Sequence, residues 1–254
     1  GVAFKTSFDV SSINIRNGKA ISASCVSHDE EIADYFIASA DYAHVEKELL
    51  DEKYRNYTEN YWDKRDFSPS SLIFYLGIDV KVDNLIHHNL FFDEDIDLFS
   101  NDIYVNKTWP KKPLFYASCP SKTDKSTAPN GKENIFLLMP LPAGVKDTEE
   151  LREKYFNIIL QKLEKYCKMD IKSKIIYKRS YCVNDFKKDY YSYKGNAYGL
   201  ANTVSQTANL KPKIYNKNVK NLFYTGQLTV PGPGVPPSLI SGKLVADYII
   251  KNCK

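Results

Sequence analysis

Near its carboxy end the chain reads strand, stiff loop, helix, and few folds accommodate that order. The segment is Asn221 to Lys243, NLFYTGQLTVPGPGVPPSLISGK. Leu222, Phe223 and Tyr224 form a short apolar run that reads as a buried strand. The run stops at Gly226 and enters a loop holding Pro231, Gly232, Pro233, Gly234, Pro236 and Pro237. From Ser238 the apolar residues fall at helical spacing: Leu239, Ile240, Leu244, Val245, Tyr248 and Ile249. Proline fixes φ, and glycine lets another group approach the backbone. Pro237 is tolerated in a first helical turn, where its missing N–H has no partner to lose. Such a strand–loop–helix unit can aim backbone N–H groups and a helix N-terminus at an anionic or electron-rich group. It can also be a plain connection, since glycine and proline are first of all turn residues.

Composition narrows the classes. The 254 residues, 43% hydrophobic and 26% charged, suffice for one large domain or two small ones with a packed core. The net charge of +4 comes from many lysines and from Arg16, Arg55, Arg65, Arg152 and Arg179. Sequence-reading nucleic-acid binders need arginine forks on one face, so no nucleic-acid partner is expected. Mild basicity allows weak attraction to anionic headgroups. Cys25, Cys119, Cys167, Cys182 and Cys253 are scattered without a C-x-x-C, which fits neither a disulfide framework nor a zinc site. A reducing cytoplasm suits them. No apolar run approaches the roughly 18 residues of a spanning helix, and no signal peptide is expected.

Along the chain, Phe8 to Ile15 and Ala20 to Val26 flank Asn17-Gly18, a hairpin signal. Ile32 to Asp41 reads as a short buried strand and Tyr42 to Leu50 as a helix. That step could belong to a nucleotide-binding sheet or to an ordinary β-to-α unit. Residues 51 to 69 are polar and aromatic, helical in part. Strands are expected over Ser71–Ile78, Asn89–Phe92, Pro113–Ser118, Asn134–Pro140 and near Lys174–Tyr181. Residues 124 to 131 form a loop. Thr148 to Tyr166 carries a helical stripe of Leu151, Tyr155, Ile159, Leu163 and Tyr166, widened by Phe156 and Leu160. Asp147 is the preferred N-cap over Thr148, because it places Glu150 where a capping box needs it.

The loop closely resembles the carboxy-terminal flavin-contacting motif of the carotenoid (phytoene) desaturase family, T-x-P-G-x-G-[VI]-P after a strand ending in Gly. Gly226, Thr229, Pro231, Gly232, Gly234, Val235 and Pro236 match it. Further segments are similar, in the family's order. Ser70 to Asp79 resembles S-x-[FL]-x-x-Y-L-G-[LI]-D, and Leu85 to Phe92 resembles L-x-H-H-x-[LI]-F-F. Thr123-Asp124 with Ala128-Pro129 and Gly131, Leu138 to Pro142, and Gly195 to Gly199 look like T-D-x-x-x-A-P-x-G, L-x-P-[VL]-P and G-x-A-x-G. Two departures stand out. The family's opening G-x-G-x-x-G, which seats the FAD pyrophosphate, is absent. Lys211-Pro212 stands where many members have Arg-Pro, so the guanidinium fork is lost.

The resemblance implies an α/β (α+β) fold: the C-terminal part of a flavin-binding Rossmann-like domain plus a strand-rich substrate domain. The expected division is residues 1–50 and 195–254 for the FAD-binding part and 51–194 for the substrate domain. The missing N-terminal half of the same protein would be a partner, and the fragment alone would be inactive. The implied reaction is FAD-dependent desaturation of an apolar polyene in carotenoid biosynthesis. Hydrogen is removed at single bonds flanked by double bonds, a hydride passing to the flavin and a proton leaving the neighbouring carbon. The enzyme would be cytoplasmic and peripheral to the membrane that holds its substrate. Val10 is expected against the adenine end of FAD, or as a plain sheet residue. Asp41 is expected near the cofactor, or as a helix N-cap. Gly226, Gln227 and the loop through Val235 are expected at the flavin. Phe74, Leu76, Phe91, Tyr116 and Leu138 line an apolar substrate path or form core. No catalytic nucleophile stands out, and hydride transfer needs none. Adjacent strand residues point to opposite faces, so His87 and His88, with His28 and His44 remote, are not expected to hold a metal. Two other readings stay open: a non-catalytic module binding an apolar ligand or partner, and a saturase, isomerase or later-step desaturase on the same fold.

Overall fold

The computed structural model describes residues 1–27 and 29–253, so His28 lies outside the described residues. The chain opens with strands β1 (Val10–Arg16), β2 (Lys19–Cys25), β3 (Glu30–Ile32) and β4 (Phe36–Ala38), then helices α1 (Tyr42–Glu48) and α2 (Glu59–Asp63). Strands β5 (Ser70–Ile78) and β6 (His88–Phe91), helix α3 (Ile96–Ser100), and strands β7 (Phe115–Ser118) and β8 (Glu133–Leu141) follow. Helix α4 (Glu149–Cys167), strand β9 (Ile175–Tyr181), helix α5 (Val183–Tyr190), strand β10 (Leu222–Tyr224) and helix α6 (Val235–Asn252) complete it. This is the mixed α/β composition expected from the sequence.

Two compact units form. The first takes Gly1–Ser68, Tyr190–Tyr193 and the chain from Tyr198 onward; the second takes Pro69–Asp189 and Lys194–Ala197.

In the second unit, period-2 alternation builds a five-stranded antiparallel sheet in the order β6-β7-β8-β5-β9. Strands β5 and β8 pair over their full length, Ser70 with Leu141 through to Ile78 with Glu133. One face carries Leu72, Phe74, Leu76, Ile135, Leu137 and Met139, which share a core with Tyr155, Phe156, Ile159, Leu160 and Leu163 of α4. The rings of Phe74 and Phe156 lie 4.8 Å apart. Burying each such side chain is worth about 1.5–3 kcal/mol, so this sheet and helix carry the unit. The expected α4 stripe is present, but its cap differs. Thr148, not Asp147, is the N-cap, accepting from the Leu151 amide. Asp147 is drawn away by Arg152, whose Nε and Nη2 donate to its two carboxylate oxygens at 2.7 Å. Helix α5 was not foreseen, because its polar sequence lacks a long apolar stripe.

In the first unit, β1, β2 and β3 form an antiparallel sheet around the Asn17-Gly18 turn. The segment 32–41 is not one buried strand. It splits into the end of β3 and the separate β4, and Ile32 and Ile37 are exposed. Strand β4 joins β10 in a parallel pair, Phe36 with Leu222, Ile37 with Phe223 and Ala38 with Tyr224. A pair of two strands buries little on its far side, which explains the exposure. Helix α6 begins at Val235, three residues ahead of the expected Ser238, and takes both Pro236 and Pro237 into its first turn.

Candidate functional site

Strands β4 and β10 run parallel, and each is followed by a turn and a helix. In open α/β sheets ligands bind beyond the carboxyl ends of parallel strands. Here those ends are tied together. The Thr225 amide donates to the Ala38 carbonyl at 3.0 Å, and the Ser39 and Thr225 hydroxyls are 2.8 Å apart. Gly226, at φ 97°, turns the chain out of the strand. Its amide donates to Ser241 Oγ at 2.9 Å, and that hydroxyl donates to the Ser238 carbonyl at 2.7 Å. The buried Thr229 folds back, its amide and hydroxyl both donating to the Gly226 carbonyl. The loop is therefore fastened to the second turn of α6 before its prolines begin. Gly232 and Gly234 hold φ of 134° and 114°, which side chains oppose.

Three further features shape this loop. A Cβ on Gly199 would meet the Gln227 carbonyl oxygen at 2.7 Å, so the second glycine of the G-x-A-x-G segment lets the two backbones touch. Gly234 caps α6 without a side-chain hydrogen bond, and Pro236 and Pro237 supply no N–H in the first turn. Lys211 is 3% exposed, and its Nζ is buried without a hydrogen-bond partner among the described residues. A Cβ on Gly232 would lie 3.3 Å from Lys211 Cε and 3.5 Å from Nζ. Burial pushes the Lys211 ammonium below its ordinary pKa. An orphaned cation beside a side-chain-free backbone fits an electron-rich group carrying negative charge.

Asp41 stands two residues past Ser39, whose carbonyl borders Gly226. It caps α1, one carboxylate oxygen accepting from the Ala43 and His44 amides and the other from the Tyr193 amide. The N-cap alternative is therefore realised. Val10 opens β1 opposite Cys25, and no hydrogen bond among the described residues links it to the loop. A cleft of about 590 Å³ lies between β1 and the end of α1, lined by residues such as Ser12, Asn14, Leu49 and Arg55. It includes none of the candidate site residues read from the sequence.

Beneath β10 lies a polar cluster that sequence reasoning missed. The Tyr42 and Tyr224 rings stack at 3.7 Å. Glu46, fully buried, accepts from the Asn56 amide at 2.6 Å and the Tyr57 amide at 3.1 Å. Burial pushes its carboxyl up to about 7, against the pull of those amides and the Tyr224 hydroxyl. Burial likewise raises both tyrosines. The signal was present in the sequence: Glu46 lies four residues from both Tyr42 and Leu50, on the core stripe of α1.

In the second unit the five residues expected along a substrate path divide. Phe74 and Leu76 are core under α4. Phe91 packs against that core, stacked on Phe115 at 4.3 Å. Tyr116 and Leu138, directly paired, share the opposite face with Ile73, Tyr75 and Phe136. The two histidines lie on one side after all, their rings stacked at 4.1 Å. His87 precedes β6, so strand alternation does not govern it. Its Nδ1 is 2.6 Å from Thr123 Oγ1, and His88 Nδ1 is 2.5 Å from the Tyr116 hydroxyl. Two motifs 36 residues apart thus meet through His87 and Thr123. Among the described residues no group of three or more His, Cys, Asp or Glu side chains is placed to hold a metal, and no helix is long and apolar enough to cross a membrane.

No family model matches the chain. Curated relatives do. A carotenoid 3,4-desaturase from Haloarcula japonica is 37% identical over 252 residues, which is 99% of this chain and 51% of the relative. A 4,4'-diapophytoene desaturase (4,4'-diaponeurosporene-forming) from Staphylococcus aureus is 31% identical over 229 residues, 86% of this chain and 45% of the relative. The chain thus spans about half the length of these relatives. They carry the name of the family whose motifs the sequence resembles. Among solved structures, an oxidoreductase from Methanosarcina mazei superposes with a TM-score of 0.58 at 15% identity, covering 94% of this chain and 48% of that one. A protein from Exiguobacterium sp. 255-15 assigned as a protoporphyrinogen oxidase gives 0.53 at 11% identity, covering 96% and 46%. These two bear on the fold alone.

Proposed function

We propose that this chain is the carboxy-terminal half of an FAD-dependent carotenoid desaturase acting in carotenoid biosynthesis. The observation that carries the reading is the coincidence of two facts: 37% identity to a carotenoid 3,4-desaturase along 99% of the chain, and a glycine-proline loop pinned at the carboxyl ends of a parallel strand pair. The resemblance of the loop to a flavin-contacting motif supports a flavin, and the orphaned Lys211 ammonium beside Gly232 fits one.

When bound, a flavin supplies two-electron chemistry: it accepts a hydride from an apolar carbon chain. The protein's own residues hold and orient. Gly226, Gln227, Thr229, Pro231, Gly232, Gly234 and Val235 form the backbone wall against the ring. Gly226 and Thr229 are fixed by the Ser241 and Gly226 hydrogen bonds, so the wall is set before a ligand arrives. Asp41 and Val10 are the proposed contacts toward the nucleotide end. The polyene is proposed to lie on apolar surface of the second unit. Tyr116 and Leu138, on the sheet face away from α4, are its first contacts. Phe74, Leu76 and Phe91 shape that sheet from the core side. The enzyme reaches its substrate by resting on the membrane surface.

The test is to express the full-length protein with phytoene or a related carotene and analyse the pigments. Longer conjugated polyenes are expected. Absence of conversion with every carotene offered, from a protein that is folded and flavin-loaded, would overturn the desaturase reading. A saturase or isomerase would instead shorten conjugation or leave its length unchanged. A non-catalytic module would retain no flavin absorbance once unbound FAD is removed after titration.

A further inference from the structure

We propose that Lys211 is the charge-compensating residue of the cofactor site: its ammonium, held beneath Gly232, pairs with negative charge on the bound flavin and thereby favours the reduced cofactor over the oxidised one. This rests on the flavin reading above and adds a residue and a role to it.

Four observations converge. First, the Lys211 Nζ is buried and has no hydrogen-bond partner among the described residues. An isolated buried ammonium is costly, no described group relieves that cost, and an anionic group bound beside it would. Second, the ammonium is directed at the loop rather than away from it. The position a Cβ would take on Gly232 is 3.5 Å from Nζ, and that position is empty because the residue is glycine at φ 134°. Third, the Lys211 backbone is anchored. Its amide donates to the Ala208 carbonyl at 3.2 Å, and Pro212 follows. Fourth, α6 is poorly equipped to hold negative charge by itself. A helix N-terminus normally offers several unpaired amides. Here Pro236 and Pro237 offer none, and the Ser238 amide already donates to the Gly234 carbonyl at 2.9 Å. A side-chain cation makes good that deficit, and the Lys211 ammonium lies beside Gly232 of the same loop.

A purely structural role makes a different forecast. If the lysine stem only fills space, Lys211→Met keeps the packing and changes nothing about the cofactor. If the ammonium is a charge partner, Met has two opposite effects. The cofactor-free protein becomes more stable, because an unpaired buried charge has gone. The stabilisation gained on adding FAD becomes smaller, because the favourable pairing has gone too.

The experiment uses the full-length protein reconstituted with FAD, as wild type, Lys211→Met, Lys211→Gln and Lys211→Arg. Thermal unfolding is measured with and without FAD, and the flavin midpoint potential by spectroelectrochemistry. Met and Gln are expected to weaken the preference for the reduced cofactor roughly tenfold, a fall of about 30 mV for a two-electron couple. Arg is expected to restore most of it. Met is also expected to raise the unfolding temperature of the cofactor-free protein. A flavin-loaded Met variant with the wild-type potential and the wild-type FAD-induced thermal shift overturns the role of Lys211 and leaves the flavin reading standing. A folded wild type that binds no flavin overturns both.

Discussion

Glu46 places a carboxyl where no water reaches it, and the sign of its effect on stability follows directly. Burial raises its pKa from 4.5 to about 7, so the folded chain favours the neutral acid. That contribution is fully present below about 4.5 and is lost as pH rises through about 7. Glu46→Gln is therefore expected to flatten the pH dependence of stability, with its stability relative to wild type rising by up to about 3 kcal/mol between pH 4 and pH 8. Urea melts at several pH values read this out. His44, whose pKa is lowered by burial, gives a slope of opposite sign, so the difference between variant and wild type is the quantity to compare. A difference constant across that range would refute a buried, strained acid. Glycines give a second contrast. Gly199 and Gly131 hold φ of 73° and 79°, but a Cβ meets the Gln227 oxygen at 2.7 Å in the first and nothing within 4 Å in the second. Gly131→Ala should cost about 1 kcal/mol, the strain of the backbone alone. Gly199→Ala should cost about 2–4 kcal/mol and loosen FAD binding, since Gln227 must move. Equal costs in chemical denaturation would deny the close approach.

At the scale of elements, what the sequence showed and what it hid have separate physical causes. Local pattern was enough for α4: the stripe through Tyr155, Phe156, Ile159, Leu160 and Leu163 is the stripe that is buried. Its cap was misjudged because Asp147 and Glu150 have the spacing of a capping box, while Asp147 is taken instead by Arg152 of the same helix, five residues on, and by the Asn184 amide. Arg152, 7% exposed, donates to Asp147 and to Ser180 and pairs with Asp185 at 2.8 Å. Burial alone would raise the Asp147 pKa, but the bonds from Arg152 and from the Asn184 amide outweigh it and hold the group below the usual range. Thr148→Ala should then cost about 1 kcal/mol as a lost cap. Arg152→Leu should cost about 3–5 kcal/mol, because it strands a buried carboxylate. Adding Asp147→Leu to it should recover part of the loss. Thermal melts of the single and double variants decide this, and a Thr148 variant more damaging than the Arg152 variant would reverse the assignment. The loop at 226–235 was legible as a motif because its glycines and prolines are dictated by backbone conformation. The role of Lys211 was not, since only the fold brings it to Gly232.

For the molecule as a whole, the two units differ in how far each satisfies itself. The second has a five-stranded sheet whose longest pairing, β5 with β8, is covered by α4 on one face. The first ends in α6, where only Ser241 and Val245 of 18 residues are fully buried. Val235, Leu239, Ile240, Leu244 and Ile250 are exposed, and so is Ile37 on β4. Parallel strands are seldom stable as a bare pair and are normally covered on both faces. The chain spans about half the length of its curated relatives, which gives these surfaces a natural occupant in the proposed remaining half of the protein. Part of the argument was available from sequence: the missing dinucleotide turn and the motif order both resemble a partial flavin fold. The open faces were not, because helical spacing in 239–249 does not say which side is covered. Amide hydrogen exchange tests the consequence. In the 254-residue chain alone, the β5 and β8 amides should be protected to near the global stability, while α6 amides exchange by local opening. In the full-length protein α6 should gain protection of about 3 kcal/mol or more, the expected return from covering two or three large apolar side chains. Equal protection of α6 in both proteins would mean that this helix needs no cover, and the remaining half would have to dock elsewhere.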